Sequence, residues 1–188
     1  MTFPTWHEPV RLLEESTGPA TDQQRELAIT VGLALAGTEP RGVAAILLEE
    51  HLQPLIWGRE PERATGRQRA FLVELGSNVA DDAGLTKRTA SAWIQHHLAV
   101  RSIESLRRLA LVRDDTVITR RLWRHPETER LFETLDCAVV SSIRADGMVY
   151  FRGGNGRCGW PTSLTRAPAR IHRDDYPKFR ELSDDSTQ

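Results

Sequence analysis

Apolar residues recur with two different periods along the chain, and the change falls close to residue 114. Before it, apolar residues return every three or four positions, as in the set Ala90, Trp93, Ile94 and Leu98. After it, short runs rich in Val and Ile are separated by turn residues. The first period is typical of amphipathic helices and the second of short strands. We therefore predict an α+β fold, with a helical domain over residues 1–113 and a β-rich domain over residues 114–180.

The helical part contains a segment that occurs twice. Residues 20–27 match residues 64–71 in the placement of Ala, Thr, Gln and Arg, at an offset of 44. Residues 44–52 match residues 90–98 at an offset of 46. Internal similarity of this kind indicates one structural unit used twice. We expect two tandem helical hairpins, over residues 20–52 and 64–98.

Each predicted repeat begins with the sequence signature of a helix start. Thr21 and Thr65 stand before the first helix of each repeat, and Gln24 and Gln68 follow three residues later. This is the spacing of a capping box, in which the Thr and Gln side chains satisfy backbone N–H groups. We assign these four residues a structural role rather than a binding role.

A third helix is predicted over residues 102–112. Its apolar face holds Ile103, Leu106 and Leu109. Arginines crowd the other face, and they are Arg101, Arg107, Arg108 and Arg113. The tight glycine turn of a helix-turn-helix is missing, which argues against that motif. Two interpretations stay open: a solvated face or a phosphate-binding face.

The second half has the pattern of an antiparallel β-domain. An Asp146-Gly147 pair lies between two apolar runs, residues 137–144 and 148–152, which is a strong hairpin signal. A glycine-rich turn at residues 153–156 precedes another short strand. Four short strands at this spacing predict a small barrel. We expect residues 181–188 to form a disordered tail.

Composition and charge narrow the functional classes. The formal net charge is −1, so there is no overall basic footprint. Residues 1–58 are nevertheless acidic, at roughly −5, and residues 59–113 are basic, at roughly +4. Two cysteines and no apolar run of membrane-spanning length favour a cytoplasmic protein with no membrane partner.

The second repeat resembles a short helical module that is common in actinobacterial and phage proteins. The resemblance rests on an A-T-x-x-Q start at Ala64, an L-T-K step at Leu85 and an A-S-x-x-I segment at Ala90. It covers about a fifth of the chain, and the first repeat matches it more weakly. Relatives of the module also occur attached to DNA-processing proteins, so the resemblance implies an association with nucleic acid.

Residues 114–166 look like an SH3-type small β-barrel. The resemblance is carried by apolar and glycine positions: Val140, Ile143, Gly147, Val149, Tyr150, Phe151, Gly153, Gly154 and Gly156. Barrels of this type are attached to nucleic-acid and ribosome-associated proteins. The resemblance concerns the fold, so its implication for function is an analogy.

The residues that could perform chemistry lack the spacing that catalysis or metal binding needs. His125, Cys137, Cys158 and His172 could in principle hold zinc, but no close ligand pair is present. No nucleophile elbow and no paired-carboxylate pattern is found. We therefore predict a non-enzymatic protein with no cofactor and no metal.

Arginines interleaved with aromatic residues favour binding of DNA or RNA. The predicted nucleic-acid-binding residues are Arg101, Arg107, Arg108, Arg144, Tyr150, Arg152, Arg157 and Trp160. On a strand, Tyr150 and Arg152 would share one face. The leading hypothesis is an accessory or regulatory protein related to phages or mobile elements. The alternative is an adaptor or inhibitor that binds a partner protein through the acidic first repeat and does not bind nucleic acid.

Overall fold

The computed structural model describes residues 6–58, 60–153, 156–168 and 177–182. These residues form a mixed α+β structure, as the sequence predicts. The chain divides into two compact units. The helical unit is Leu13–Arg101, and the β unit combines Met1–Leu12 with Ser102–Gln188. The predicted boundary lies near residue 113, whereas this division cuts the chain after Leu12 and after Arg101. Both cuts fall inside a helix.

Five α-helices are described. They are α1 His7–Thr17, α2 Asp22–Thr30, α3 Arg41–Trp57, α4 Gly66–Glu74 and α5 Lys87–Leu109. Short 3-10 helices cover Asn78–Asp81 and Pro161–Ser163. Among the described residues, no helix has the length and the apolar content that crossing a membrane requires.

Both predicted capping boxes are confirmed. Thr21 Oγ1 accepts a hydrogen bond from the Gln24 amide at 3.2 Å, and Gln24 Oε1 accepts one from the Thr21 amide at 2.9 Å. Thr65 and Gln68 make the same pair of bonds, at 3.2 and 3.0 Å. Two otherwise unpaired N–H groups are thereby satisfied at the start of α2 and of α4.

The connection from each short helix to the next helix is also hydrogen-bonded alike. The Ala20 amide donates to the Glu39 carbonyl at 2.9 Å, and the Ala64 amide donates to the Leu85 carbonyl at 3.0 Å. Isolated bridges join Pro19 to Pro40 and Arg63 to Thr86. Pro19 and Arg63 are 44 residues apart, and Pro40 and Thr86 are 46 residues apart. The amide and carbonyl pairs show the same two offsets, which are those of the sequence repeat.

The Gln side chains of the two capping boxes hold the next helix in equivalent ways. Gln24 Nε2 donates to the Arg41 carbonyl at 3.1 Å, and Gln68 Nε2 donates to the Lys87 carbonyl at 2.9 Å. Gln68 makes a further bond of 3.0 Å to Ser91 Oγ. The first repeat has no counterpart to that bond, because alanine stands at position 45.

Apolar side chains on both hairpins form the core of the helical unit. Leu72, Ala80, Leu85 and Ala90 make one buried cluster, and Trp93 packs against it. The small residues Ala44 and Ala90 are both fully buried. The absence of a large side chain at these two positions lets neighbouring backbone approach closely.

The predicted separate helix over residues 102–112 is wrong. Residues 102–109 continue α5, which runs without interruption from Lys87 to Leu109, and residues 110–112 lie beyond its end. No Gly or Pro lies between Leu98 and Ser102, and the apolar period carries on through Ile103 and Leu106. Helix α1 was not predicted at all.

The described residues of the β unit form one antiparallel sheet of six strands, rather than four short strands. They are β1 Thr116–Arg124, β2 Leu131–Ile143, β3 Val149–Phe151, β4 Cys158–Gly159, β5 Leu164–Arg166 and β6 Lys178–Leu182. The order is β4-β3-β2-β1-β5, and β6 pairs with β2. Residues 181 and 182 therefore belong to a strand, which corrects the predicted tail. Residues 183–188 lie outside the described part.

The hairpin predicted at Asp146-Gly147 joins β2 to β3. Gly147 has a φ of 82°, which glycine adopts without strain, and Asp146 Oδ1 accepts a bond from the Met148 amide at 2.9 Å. Of the glycine-rich turn that follows, Gly154 and Asn155 lie outside the described residues. Val117, Val140 and Val149 are fully buried and form the centre of this unit's core.

Candidate nucleic-acid interface

One face of the sheet changes from buried to exposed along β1. Val117 is fully buried, Thr119 is partly buried, and Arg121 and Trp123 are exposed. Alternate residues of a strand point to the same side, so these four residues line one face. The face is part of the core at one end of β1 and reaches solvent at the other end.

The neighbouring strands contribute aromatic and polar residues to the open end of this face. Trp123 lies opposite Phe132 on β2, and Arg121 lies opposite Thr134. Thr134 in turn lies opposite Phe179 on β6. Directly opposed residues of antiparallel strands project to the same face. Three aromatic rings and one arginine are thereby gathered on three adjacent strands.

All of these residues except Phe132 border a cleft of about 770 Å³, which we call the aromatic groove. Its lining includes Thr119, Arg121, Trp123, Thr134, Asp136, Phe151, Arg157 and Phe179. Phe151 is almost fully buried and forms part of the inner wall. Phe179 is 69% exposed and Trp123 is 37% exposed, so apolar ring surface faces solvent here.

The Trp123 ring is held by two contacts. It stacks on Phe132 with a centroid separation of 4.9 Å and an interplanar angle of 21°. Its Nε1 donates to Thr134 Oγ1 at 3.0 Å. Stacking on one side and the hydrogen bond at the ring edge fix the indole, while part of its surface stays exposed.

Two carboxylates on β2 near the groove are paired with arginines. Asp136 forms an ion pair with Arg157, and Glu133 forms one with Arg120. Arg121 has no ion pair with any residue of the described part. The exposed guanidinium of Arg121 therefore places at this end of the groove a positive charge that no described carboxylate pairs with.

The predicted site residues are distributed over both units, and only some are brought together. Arg101 belongs to the helical unit, where its Nη2 lies 3.5 Å from the Leu75 carbonyl. Arg107 and Arg108 are exposed in the last turn of α5, where cations interact favourably with the helix dipole. Trp160 is 44% exposed and directly precedes the second 3-10 helix.

Arg144 and Tyr150 form a contact across the β2–β3 hairpin. Arg144 Nη1 donates to Tyr150 Oη at 3.1 Å, and its guanidinium carbon lies 5.2 Å from the ring centroid. Val149 and Phe151 are buried while Tyr150 is partly buried, so Tyr150 takes the outer face as expected from strand alternation.

The other two predicted arginines are engaged by acids. Arg152 forms an ion pair with Asp114, and Arg157 forms one with Asp136. A phosphate would have to compete with these carboxylates for the guanidinium groups. Of the predicted residues, Arg157 alone lines the aromatic groove.

Sequence reasoning missed the residues of β1 that dominate the groove. The segment from Arg120 to Arg124 reads Arg-Arg-Leu-Trp-Arg, the same interleaving of cations and an aromatic residue that was sought around Tyr150. The β-branched pattern predicts a strand only over residues 116–120, so it does not assign Arg121 and Trp123 to a strand face. Phe179 was missed because β6 was not predicted.

In the described part of the chain, the residues considered for zinc are not gathered into a metal-binding group. Within the described ranges, no group of three or more His, Cys, Asp or Glu residues is placed to hold a metal ion. Cys158 is a free and exposed thiol, and Cys137 is partly buried on β2. His172, the fourth residue considered for zinc, lies outside those ranges.

Comparison with protein-family models, with curated proteins and with solved structures finds no match to this chain.

Proposed function

We propose that this chain is a non-enzymatic accessory or regulatory protein of the cytoplasm that binds DNA or RNA through its β unit. The observation that carries the proposal is the aromatic groove, in which the arginine without an acidic partner lies two residues from an exposed, fixed tryptophan. Aromatic rings and arginines on one strand surface are the combination that binds bases and phosphates together.

The remaining predicted arginines provide further phosphate contacts around this centre. Arg144, Arg107 and Arg108 are exposed on the same unit, and Arg144 is held in place by Tyr150. Arg152 and Arg157 would release the carboxylates of Asp114 and Asp136 and bind a phosphate in their place. Tyr150 and Trp160 are additional stacking residues. Arg101 belongs to the helical unit and would bind a phosphate separately from the groove.

Two structural proposals accompany this function. Segments 20–52 and 64–98 are copies of one capped module, and support comes from the equivalent hydrogen bonds at the two starts. The β unit is an SH3-type barrel. Support comes from the return of β5 to pair with β1, which gives the first five strands the order β4-β3-β2-β1-β5. The phage or mobile-element setting rests on the resemblance of the second repeat.

A paired pull-down tests the proposed function. The tagged full chain is purified from its host lysate with and without nuclease treatment, and bound nucleic acid is quantified. We expect nucleic acid to co-purify only in the untreated sample and to be released as salt rises, because counterion release drives such binding. If nucleic acid is not retained even at low salt, and purified chain shifts neither DNA nor RNA in a gel, the proposal fails.

A second candidate function is an adaptor that binds a partner protein. It is favoured by exposed apolar residues at matching positions of the two hairpins: Leu27 and Ile29 on α2, and Phe71 and Val73 on α4. Ile29 is 79% exposed and Val73 is 62% exposed. Exposed apolar residues at corresponding places suit a protein partner, which the acidic first repeat would select by charge.

Affinity purification distinguishes the two candidates. The adaptor hypothesis predicts one stoichiometric protein partner that survives nuclease treatment and is lost with Ile29→Asp. Gln23→Asp on the same helix is the matched control, because position 23 is exposed and already polar. A partner retained by both variants, or no stoichiometric partner, contradicts this hypothesis.

A further inference from the structure

We infer that the aromatic groove binds single-stranded rather than duplex nucleic acid, with one base stacked on Trp123 and a neighbouring phosphate on Arg121. This inference rests on the proposed function and names the form of nucleic acid that the site accepts. It draws on the geometry of three strands: β1, β2 and β6.

The exposed surface of Trp123 is a platform for a flat ring. One face of the indole is occupied by Phe132, and the Nε1 bond to Thr134 fixes its orientation. Because the ring is already fixed, little side-chain freedom is lost when a base stacks on it. Bases inside a duplex are covered by their neighbours, so only an unpaired base can use this platform.

Phe179 supplies a second ring on the same face. Its strand is separated from β1 by β2 alone, so the two backbones lie roughly 10 Å apart. Phe179 is 69% exposed, which leaves its ring open to a second base. Two separated rings on one open face match a strand whose bases are splayed apart, as in single-strand binding by other β-domains.

The charges of the groove favour a polyanion. Arg121 lies two residues before Trp123 on the same face, about 7 Å along the strand, which is within side-chain reach of a phosphate next to the stacked base. Asp136, the acid in the groove lining, is neutralised by Arg157. An uncharged or basic partner would leave Arg121 without a counter-charge, whereas the phosphates next to a stacked base supply one.

The test measures the fluorescence anisotropy of labelled oligonucleotides with the full chain at low salt. The probes are single-stranded dT20, single-stranded U20, and a mixed-sequence DNA duplex of equal length with its separated strands. We expect one or both kinds of single strand to bind at least tenfold more tightly than the duplex. We expect Trp123→Ala to weaken single-strand binding about tenfold, the usual effect of removing one stacking residue. Leu122→Ala, at an exposed position on the opposite face of β1, should leave binding unchanged.

Phe179→Ala provides a second test that depends less on folding, because this ring is the most exposed in the groove. It should also weaken single-strand binding severalfold. Duplex binding equal to or tighter than single-strand binding, or unchanged binding by both variants, overturns the inference and leaves the proposed function standing. Absence of binding to every probe overturns both.

Discussion

Glu50 on α3 accepts a hydrogen bond from Thr89 on α5, and the two side chains are both almost completely buried. Glu50 Oε2 lies 2.7 Å from Thr89 Oγ1 and 2.6 Å from Thr86 Oγ1. Glu50 is 6% exposed and Thr89 is 5% exposed. A buried carboxylate is tolerated only where donors replace its water, and here the second hairpin supplies them to the first.

Removal of the Glu50 carboxylate should therefore destabilise the helical unit. We expect Glu50→Ala to lower the free energy of unfolding by about 2 kcal/mol, because the variant leaves a buried hydroxyl without its acceptor. Urea denaturation followed by circular dichroism gives the value. The neighbouring residue is a matched control: Glu49 is paired with Arg88 in an exposed position, so Glu49→Ala should cost under about 1 kcal/mol. Equal costs for the two variants would contradict this explanation.

The two capping boxes should contribute equally if the hairpins are copies of one module. We expect Thr21→Ala and Thr65→Ala each to lower the free energy of unfolding by about 1 kcal/mol, the usual cost of losing a helix cap. Both values come from the same denaturation experiment. Thr30→Ala, at the end of α2, is the control that removes a threonine hydroxyl without removing a cap. A clear loss in one repeat and none in the other would count against duplication.

The helix starts were predictable because capping chemistry is local. A threonine and a glutamine three residues apart identify the start whatever surrounds them, and both boxes are present in the structure. The Asp146-Gly147 hairpin was predictable for the same reason, since the turn itself requires these residue types. Such features depend on a few neighbouring residues.

The features that were mispredicted depend on distant partners. Strand β1 continues through Arg121 and Trp123 because β2 pairs with it along its full length, which no local preference of an arginine-rich segment indicates. Strand β6 exists by pairing with residues 131–135, far away in the chain. The aromatic groove needs both strands, so its residues could not be assembled from the sequence pattern alone.

Helix α5 was predicted as two helices, because its two halves were considered separately. The apolar face after Leu98 was read as a separate helix, but nothing in Ala99, Val100 or Arg101 breaks the preceding one. The helix ends only after Leu109, where Ala110 adopts a φ of 45°. One continuous helix is the structure that the sequence supports, because helices end at specific stop signals such as Gly or Pro.

Stability of the helical unit should fall as the pH drops below neutrality. The pKa of His96 is lowered mainly by burial and to a lesser extent by the charge of His97. The pKa of His97 is lowered mainly by burial and to a lesser extent by the charge of Arg101. The buried atoms His96 Nδ1 and His97 Nε2 have no hydrogen-bond partner among the described residues. A histidine whose pKa is lower in the folded state stays neutral there while the unfolded chain takes up a proton.

The contribution of these histidines is therefore fully present above the pKa of an unfolded histidine, about 6.5, and is lost progressively as the pH falls from that value through their lower folded-state pKa. Urea denaturation at pH 8 and at pH 5.5 measures the effect, and we expect a smaller free energy of unfolding at pH 5.5. The double variant His96→Gln, His97→Gln should show a weaker pH dependence. The same pH dependence in the variant and the parent chain would assign the effect to other groups.

Phosphate binding by Arg121 is the central electrostatic claim, and the salt dependence of single-strand binding tests it most directly. The logarithm of the binding constant is measured against the logarithm of salt concentration for the parent chain, Arg121→Gln and Arg124→Gln. Arg124 is the control because it is an exposed arginine on the opposite face of the same strand. Loss of one phosphate contact should make the slope shallower by about one for Arg121→Gln and leave it unchanged for Arg124→Gln. Identical slopes for Arg121→Gln and the parent chain would contradict the account.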